Sequence, residues 1–418
     1  MNASSRRLLC VWLDTALVGR LSEEGNIWRF DYEPAWEGGD LSPAIRRAQG
    51  SIIDGASLRP VQWFFSNLLP EEGAKVLLAQ DARVDAADNF GLLQFYGRES
   101  AGALTLLPEG EVLSPAGLQP LTDDALSERI RRLPHVPLGH DAPKRMSLAG
   151  AQHKLAVTVL EEGIFEPVGS EPSTHILKPD HPQPDHYWQT TINEWFVMRL
   201  ASAAGMDAAE VSIRRVPEAV YLVRRFDRTF RTPVERLPVL DACQMLSLDA
   251  VFKYREATSA ALNALIELCV HKADTRARLY RWWLFNLIAG NSDAHLKNLS
   301  FLGGTDGWVL APHYDLICTS IYSPGNAWGD DVPVTSPGGL PYGKWRRENA
   351  VAFGSTIGIN ARAAERELDY LLQRVQAHVG RLYQEYEDGA ARGVDPGEAR
   401  LLRGIIHGPI KDMTARLA

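Results

Sequence analysis

The run Leu279–Ala289 is the strongest constraint on this chain, because it is apolar nearly all round and stops at Gly290-Asn291. A helix with no polar face must be enclosed by a core. Gly and Asn end helices because both accept the left-handed backbone that closes the last turn. The polar segment Ser292-Asp293-Ala294-His295-Leu296-Lys297-Asn298 is therefore predicted to lie on a loop, held between that helix and a strand over Leu299–Leu302. Loops anchored on rigid elements are where reactive side chains concentrate.

The residue types on this loop suit phosphoryl transfer from ATP. Such chemistry needs a carboxylate near the attacking hydroxyl and oxygen ligands for Mg2+. Asp293 and Asn298 have the separation of base and Mg2+-binding Asn in a protein-kinase catalytic loop. Asp315, in His313-Tyr314-Asp315-Leu316, follows a strand candidate over Trp308–Ala311 and is placed to supply a second metal carboxylate. Taken singly, Asp293 reads as a helix-end loop residue and Asp315 as a turn former; their order and spacing favour the kinase-like reading. Lys178 ends the strand candidate Thr174-His175-Ile176-Leu177-Lys178, where a lysine can hold ATP phosphates or simply be a solvated strand end. Glu194 lies near the start of the helix candidate Ile192–Ala204 and is a candidate partner for Lys178. Upstream, small residues in Ser147-Leu148-Ala149-Gly150-Ala151-Gln152-His153-Lys154 would let backbone N–H groups approach phosphate oxygens. That string is neither G-x-G-x-x-G nor a Walker A sequence and is weak as a bare motif.

The remainder of the chain fits an α+β enzyme with a sheet-rich lobe followed by a helical one. Residues 1–110 alternate short strands and turns and form a small α/β unit. Residues 111–235 comprise a Pro-rich connector, with one helix after Thr122, and a sheet carrying Leu155–Leu160, His175–Lys178 and a hairpin of Glu210–Val216 with Ala219–Phe226. Residues 236–418 are mostly helical, with Leu368, Leu371, Leu372, Val375, Val379 and Leu382 on one helical stripe. Forty-four basic against fifty-two acidic residues give a formal charge of −8, which argues against strong intrinsic DNA binding. Four cysteines without a CxxC pair suit reduced thiols rather than a disulfide framework or zinc site. The polar start at Met1–Arg7 lacks a signal-peptide core, and no run reaches the roughly eighteen apolar residues of a membrane span. A cytoplasmic protein is expected.

Assembled, these strings resemble the HipA family of bacterial toxin kinases, the kinase half of type II toxin–antitoxin modules. The likeness is carried by Ser147–Lys154, Thr174–Lys178, Asn193-Glu194-Trp195, Arg225-Phe226-Asp227-Arg228, Ser292–Asn298 and Tyr314-Asp315, in the family's order. Asn67-Leu68-Leu69-Pro70 and Gly97-Arg98-Glu99-Ser100-Ala101-Gly102-Ala103 resemble its small N-terminal domain. The resemblance implies a two-lobed protein-kinase-like fold, ATP and Mg2+ as cofactors, Asp293 as catalytic base, and Asn298 and Asp315 as metal ligands. It makes Lys178 the phosphate-holding lysine paired with Glu194. It assigns Gly150, Ala151, Gln152, His153, Lys154, His295, Lys297 and Tyr314 to the nucleotide cleft, with the backbone of Arg224, Arg225 and Phe226 as hinge. It makes Ser147 a regulatory autophosphorylation site on a mobile phosphate-binding loop. Departures from the family are His153 and Arg224, each where Glu is common, and Ser292 in place of a frequent Thr.

The resemblance further implies a serine/threonine kinase acting on a translation component, such as an aminoacyl-tRNA synthetase, notably glutamyl-tRNA synthetase. A HipB-like helix-turn-helix antitoxin would be the partner, with DNA met mainly through it. Two alternatives stand beside this: a small-molecule kinase of the antibiotic phosphotransferase type, and a non-catalytic kinase-like member of a repressor complex. Retention of Lys178, Asp293, Asn298 and Asp315 argues against the last.

Overall fold

Apolar side chains of the N-terminal strands supply the core of the first sheet. In the computed structural model, which describes residues 6–304, 306–389 and 395–418, Leu9 and Val11 on Arg7–Leu13 and Val18 and Leu21 on Ala16–Glu24 are fully buried. Residues 1–5 of the polar start lie outside the described residues. The chain forms two compact units: Met1–Pro179 with Arg215–Phe252 and Phe301–Asp306, and Asp180–Arg214 with Lys253–Ser300 and Gly307–Ala418.

The first unit is built on two sheets. One is antiparallel, in the order Ser51–Ile53, Ile27–Tyr32, Ala16–Glu24, Arg7–Leu13, Leu104–Pro108. Its inner face packs on the aromatic helix Pro60–Ser66 and on Asn89–Tyr96: Phe30 lies 5.7 Å from Phe65, and Trp28 makes an edge contact with Phe90 at 5.2 Å. In the second sheet, five strands run in the order Ala219–Arg224, His175–Pro179, Leu155–Leu160, Gly163–Val168, Gly117–Pro120. Leu177 faces both Leu155 and Leu222 in the ladder, and these residues with Val157 and Val220 centre a continuous apolar core. Thr122 caps the helix Asp123–Arg131 by accepting from the Ala125 N–H at 3.2 Å.

At the heart of this unit lies a buried ion cluster. Glu99, 1% exposed, accepts from Lys144 Nζ at 2.7 Å, Arg228 Nη2 at 3.1 Å, Arg236 Nη2 at 3.3 Å and Ser173 Oγ at 2.8 Å, with Arg225 Nη1 at 3.5 Å. Asp227 takes Arg225 in a two-pronged pair at 2.7 and 2.9 Å. Surplus guanidinium donors go to the carbonyls of Gly102, Ser170 and Ser173. Burial would raise the Glu99 carboxyl, but the four cations outweigh it and hold the group well below the ordinary carboxylate range.

The second unit is helical. The helix Lys272–Ala289 buries Leu279, Tyr280, Trp282, Trp283, Leu284 and Phe285, as the nearly all-apolar run Leu279–Ala289 demands. Trp283 stacks on Phe353 at 3.8 Å and meets Trp345 edge-on at 5.2 Å. The long helix Ala361–Gly389 applies its stripe of Leu368, Leu371, Leu372, Val375 and Leu382 to the helices Thr190–Ala203 and Lys272–Ala289. The predicted helices and strands are present with ends shifted by a few residues. The second arm of the hairpin, expected to reach Phe226, ends at Arg224. All four cysteines are free and buried. No helix among the described residues is long and apolar enough to cross a membrane.

Removing one charge from the cluster tests its role. Glu99→Gln should destabilise the protein by about 3–5 kcal/mol in denaturant titration at pH 7, the range for breaking a buried ion pair. The carboxylate's contribution is complete above its ordinary value of 4.5 and declines as pH falls through the depressed value in the fold. The gap between wild type and variant should therefore narrow on acidification below that value.

Candidate functional site

The helix Lys272–Ala289 ends on Gly290 with φ +70°, the left-handed closure expected of a C-terminal cap. A Cβ at this position would sit 2.9 Å from the Pro409 side chain and 3.1 Å from that of Ser320, so space as well as conformation excludes other residues. From here polar side chains fix the loop. Asn286 Nδ2 donates to the Trp282 carbonyl at 2.8 Å, Asn291 Nδ2 donates to Asn286 Oδ1 at 2.7 Å, and Asn291 Oδ1 accepts from the Asp293 N–H at 3.0 Å. Ser292 N–H donates to Thr319 Oγ1 at 2.7 Å, and Ser292 and Thr319 hydroxyls meet at 2.8 Å.

Asp293 and Asn298 are joined through the loop itself. The Asp293 carbonyl accepts from Asn298 Nδ2 at 3.0 Å and from the His295 N–H at 2.8 Å, and Leu296–Asn298 closes as one 3-10 turn. With its amide nitrogen so engaged, Asn298 presents its amide oxygen as the group able to ligate a cation. His295, Lys297 and Asn298 are all buried, whereas Asp293 is half-buried. Tyr314 ties this turn to the next segment: its hydroxyl donates to the Lys297 carbonyl at 2.6 Å and lies 2.8 Å from Ser300 Oγ. Asp315 follows with φ +57°, a left-handed conformation that Asp tolerates better than most residues. Beside it His313 is clamped by backbone bonds, donating to Asp207 at 2.8 Å and accepting from Ala209 at 2.9 Å. Burial, with Arg278 and Arg281 near, pushes the His313 imidazole down to about 3 and keeps it neutral.

Two oxygen donors, Asn298 and Asp315, suit Mg2+, which takes carboxylate and amide oxygens and completes its shell with water and phosphate. Among the described residues there is no cluster of three or more His, Cys, Asp or Glu that could hold a metal ion. Glu194 is buried on Thr190–Ala203, directly after Asn193, whose amide exchanges two hydrogen bonds with the Cys318 backbone, each 2.9 Å. The Asp315 segment and the start of the Glu194 helix are thus fastened together.

The remaining candidates belong to the first unit. Lys178 is buried on His175–Pro179 opposite Tyr221, its Nζ 5.7 Å from that ring. Gly150 has φ +106°, and Lys154 curls back over it to donate to the Ala149 carbonyl at 2.5 Å. A Cβ on Gly150 would meet Lys154 Nζ at 2.6 Å. Ala151 is exposed, and Gln152 and His153 are half-buried. Arg224 lays its guanidinium 3.6 Å over the Phe230 ring, and Phe226 is half-buried. The Arg225 side chain joins the Glu99 cluster, and its N–H donates to the Thr174 carbonyl at 2.9 Å.

Ser147 is expected on a mobile phosphate-binding loop. It is fully buried, its N–H donates to the Glu99 carbonyl at 2.8 Å, and its hydroxyl faces the Leu68 carbonyl at 3.3 Å. Short parallel bridges, Met146 to Glu99 and Gly150 to Pro70, hold the segment on both sides.

Sequence reasoning missed Tyr254. Its hydroxyl donates to Asp293 Oδ1 at 2.7 Å. No periodicity or spacing links the two, since they are brought together only by the fold.

The model of the HipA-like C-terminal domain matches residues 146–379, and that of the HipA N-terminal domain matches residues 9–107. A Sinorhizobium fredii protein with a provisional kinase name is 35% identical over 334 residues, 76% of this chain and 78% of that protein. The serine/threonine-protein kinase toxin HipA of Shewanella oneidensis is 30% identical over 347 residues, 77% of each. The solved structure of Shewanella oneidensis HipA with HipB and operator DNA superposes with a TM-score of 0.82 at 24% identity, covering 98% of this chain and 97% of that one.

Gly290→Ala should lower stability by about 1–3 kcal/mol, since it combines a left-handed backbone with steric crowding. The expected observation is a reduced melting temperature together with loss of whatever transfer activity the loop supports. An unchanged melting temperature would mean that the loop entry tolerates a side chain.

Proposed function

The chain belongs to the HipA family, and from that premise we propose that it is a Mg2+- and ATP-dependent serine/threonine protein kinase in which Asp293 is the base. The observation that carries this reading is the loop in which Asp293 and Asn298 are locked to each other and, through Tyr314, to Asp315. In the proposed step the acceptor oxygen bonds to the γ-phosphorus of ATP, the bond from that phosphorus to the bridging oxygen breaks, and ADP leaves with that oxygen. The proton of the acceptor hydroxyl passes to the Asp293 carboxylate. Asn298 and Asp315 would hold Mg2+, which supplies neutralisation of phosphate charge. Lys178, on a strand, would hold phosphates, with Glu194 as its partner, and the segment Gly150–Lys154 would bring backbone donors to them. His295, Lys297 and Tyr314 would border the nucleotide, and the backbone of Arg224, Arg225 and Phe226 would meet its base.

Ser147 is the proposed autophosphorylation site. Because its hydroxyl is enclosed, transfer to it requires the segment 146–150 to leave Glu99 and Leu68. A dianionic phosphoserine would not fit back into that enclosure, so modification would hold the loop out and silence the enzyme. The substrate we propose is a translation component of the aminoacyl-tRNA synthetase class, glutamyl-tRNA synthetase first among them, by family analogy. A HipB-like antitoxin is the proposed partner, supported by the presence of HipB and operator DNA in the solved complex of the Shewanella oneidensis relative. The charge of −8 fits a protein that meets DNA mainly through such a partner. The free buried cysteines fit a cytoplasmic location.

The first test is peptide-level mass spectrometry after incubation of the purified protein with Mg·ATP, beside Asp293→Asn. Wild type should gain a phosphate on Ser147, and the variant should lose roughly 10²–10⁴-fold in rate, the scale of a general base, while still binding ATP. Near-wild-type transfer by the variant would remove Asp293 from that role. Asp315→Asn should weaken Mg2+-dependent nucleotide binding as well as transfer, measured by calorimetric titration with and without Mg2+. Equal Mg·ATP affinity in variant and wild type would take Asp315 out of the metal site.

A further inference from the structure

The base on the proposed reading is a half-buried carboxylate on a loop, and a carboxylate there needs something to fix its rotamer. The backbone of Asp293 is fixed by Asn291 and Asn298, but neither side chain reaches the carboxylate with the hydrogen bonds described. Tyr254 does, donating from its hydroxyl to Oδ1 at 2.7 Å. Its own position is set by three contacts. The ring meets the edge of His295 at 5.0 Å and an interplanar angle of 78°. Lys253 Nζ lies 4.9 Å from the centre of the same ring. One residue earlier in the backbone, the Lys253 carbonyl accepts from the Leu296 N–H at 3.2 Å. The pair Lys253-Tyr254 is thereby docked along the loop from Asp293 to Leu296, and the tyrosine hydroxyl is delivered to the one carboxylate on it.

We propose that Tyr254 is a positioning residue for Asp293, holding the carboxylate in the orientation that takes the acceptor's proton. The inference rests on the reading of Asp293 as base. A phenol is suited to the task because it donates one hydrogen bond to a carboxylate without adding a charge that would compete with the substrate or metal. Tyr254 is 43% exposed, so the bond to Asp293 is not needed to satisfy a buried hydroxyl. Removing that hydroxyl alone keeps the ring and its contacts with Lys253 and His295. A positioning role therefore separates cleanly from a structural one.

The experiment is a double-mutant cycle on the full-length chain. Single-turnover incorporation of label from γ-labelled ATP, into the protein itself and into added casein, is followed for wild type, Tyr254→Phe, Asp293→Asn and the double variant. Tyr254→Phe should lower the rate at saturating ATP about tenfold, the scale of one well-placed hydrogen bond, with half-saturating ATP and melting temperature unchanged. In the Asp293→Asn background the same substitution should have no further effect, because the two residues act as a unit. A wild-type rate for Tyr254→Phe, or an equal loss in both backgrounds, would overturn the positioning role while leaving Asp293 as base. An Asp293→Asn protein as active as wild type, or a wild type that transfers no label, would overturn the base assignment and this inference with it.

Discussion

The carboxylate of Glu99 is the contact on which the first unit is organised. It is buried on a segment that follows the N-terminal helices, yet its four cationic neighbours come from residues 144, 225, 228 and 236. Desolvating so much charge is unfavourable unless each group is paired and hydrogen-bonded, and here carbonyls absorb the donors that the two carboxylates do not. The arrangement is highly specific: the segment carrying Ser147 bonds through its backbone to Glu99, and Arg225 to Arg228 bring the end of a sheet strand to the same point. A boundary drawn near residue 110 separates sequence segments but cuts through this cluster, leaving four buried cations with Asp227 as their buried carboxylate. The N-terminal region is bound into the fold of the segment that carries Ser147 rather than attached beside it.

In the second unit, the enclosed helix Lys272–Ala289 plays the corresponding part. Its last turn cannot shift, because Trp282, Trp283 and Phe285 fill a close-packed interior. Everything downstream inherits that fixed origin. Gly290 turns the chain, Asn291 and Thr319 hold it, and Asp293 emerges half-exposed from a loop whose polar groups point back at protein. A reactive carboxylate gains directional accuracy when its supports are tied to an element with no freedom of its own.

Much of this was legible before the fold was known. The all-apolar helix, its glycine stop and the spacing of Asp293 and Asn298 are local facts, and local facts survive folding. Lys178 on a strand end and Glu194 near a helix start were readable for the same reason. Three features were not. The place of the Arg225 side chain was hidden, because sequence cannot say which way a side chain at a strand end turns, and here a buried carboxylate far upstream decides it. The enclosure of Ser147 was hidden too, since it depends on bridges to residues 70 and 99 that no periodicity encodes. Tyr254 carried no signal, since its relation to Asp293 spans nearly forty positions and rests on one hydroxyl.

The four thiols have a consequence of their own. Cys10, Cys243, Cys269 and Cys318 are all enclosed, and burial pushes the Cys318 thiol up to about 12. Thiolates, not thiols, react with peroxide and alkylating reagents. The thiols of the native chain should therefore react slowly with such reagents. The same silence makes the chain a clean background for optical labelling: a single cysteine introduced on the surface would be the only one to take up a dye, with no need to remove the other four.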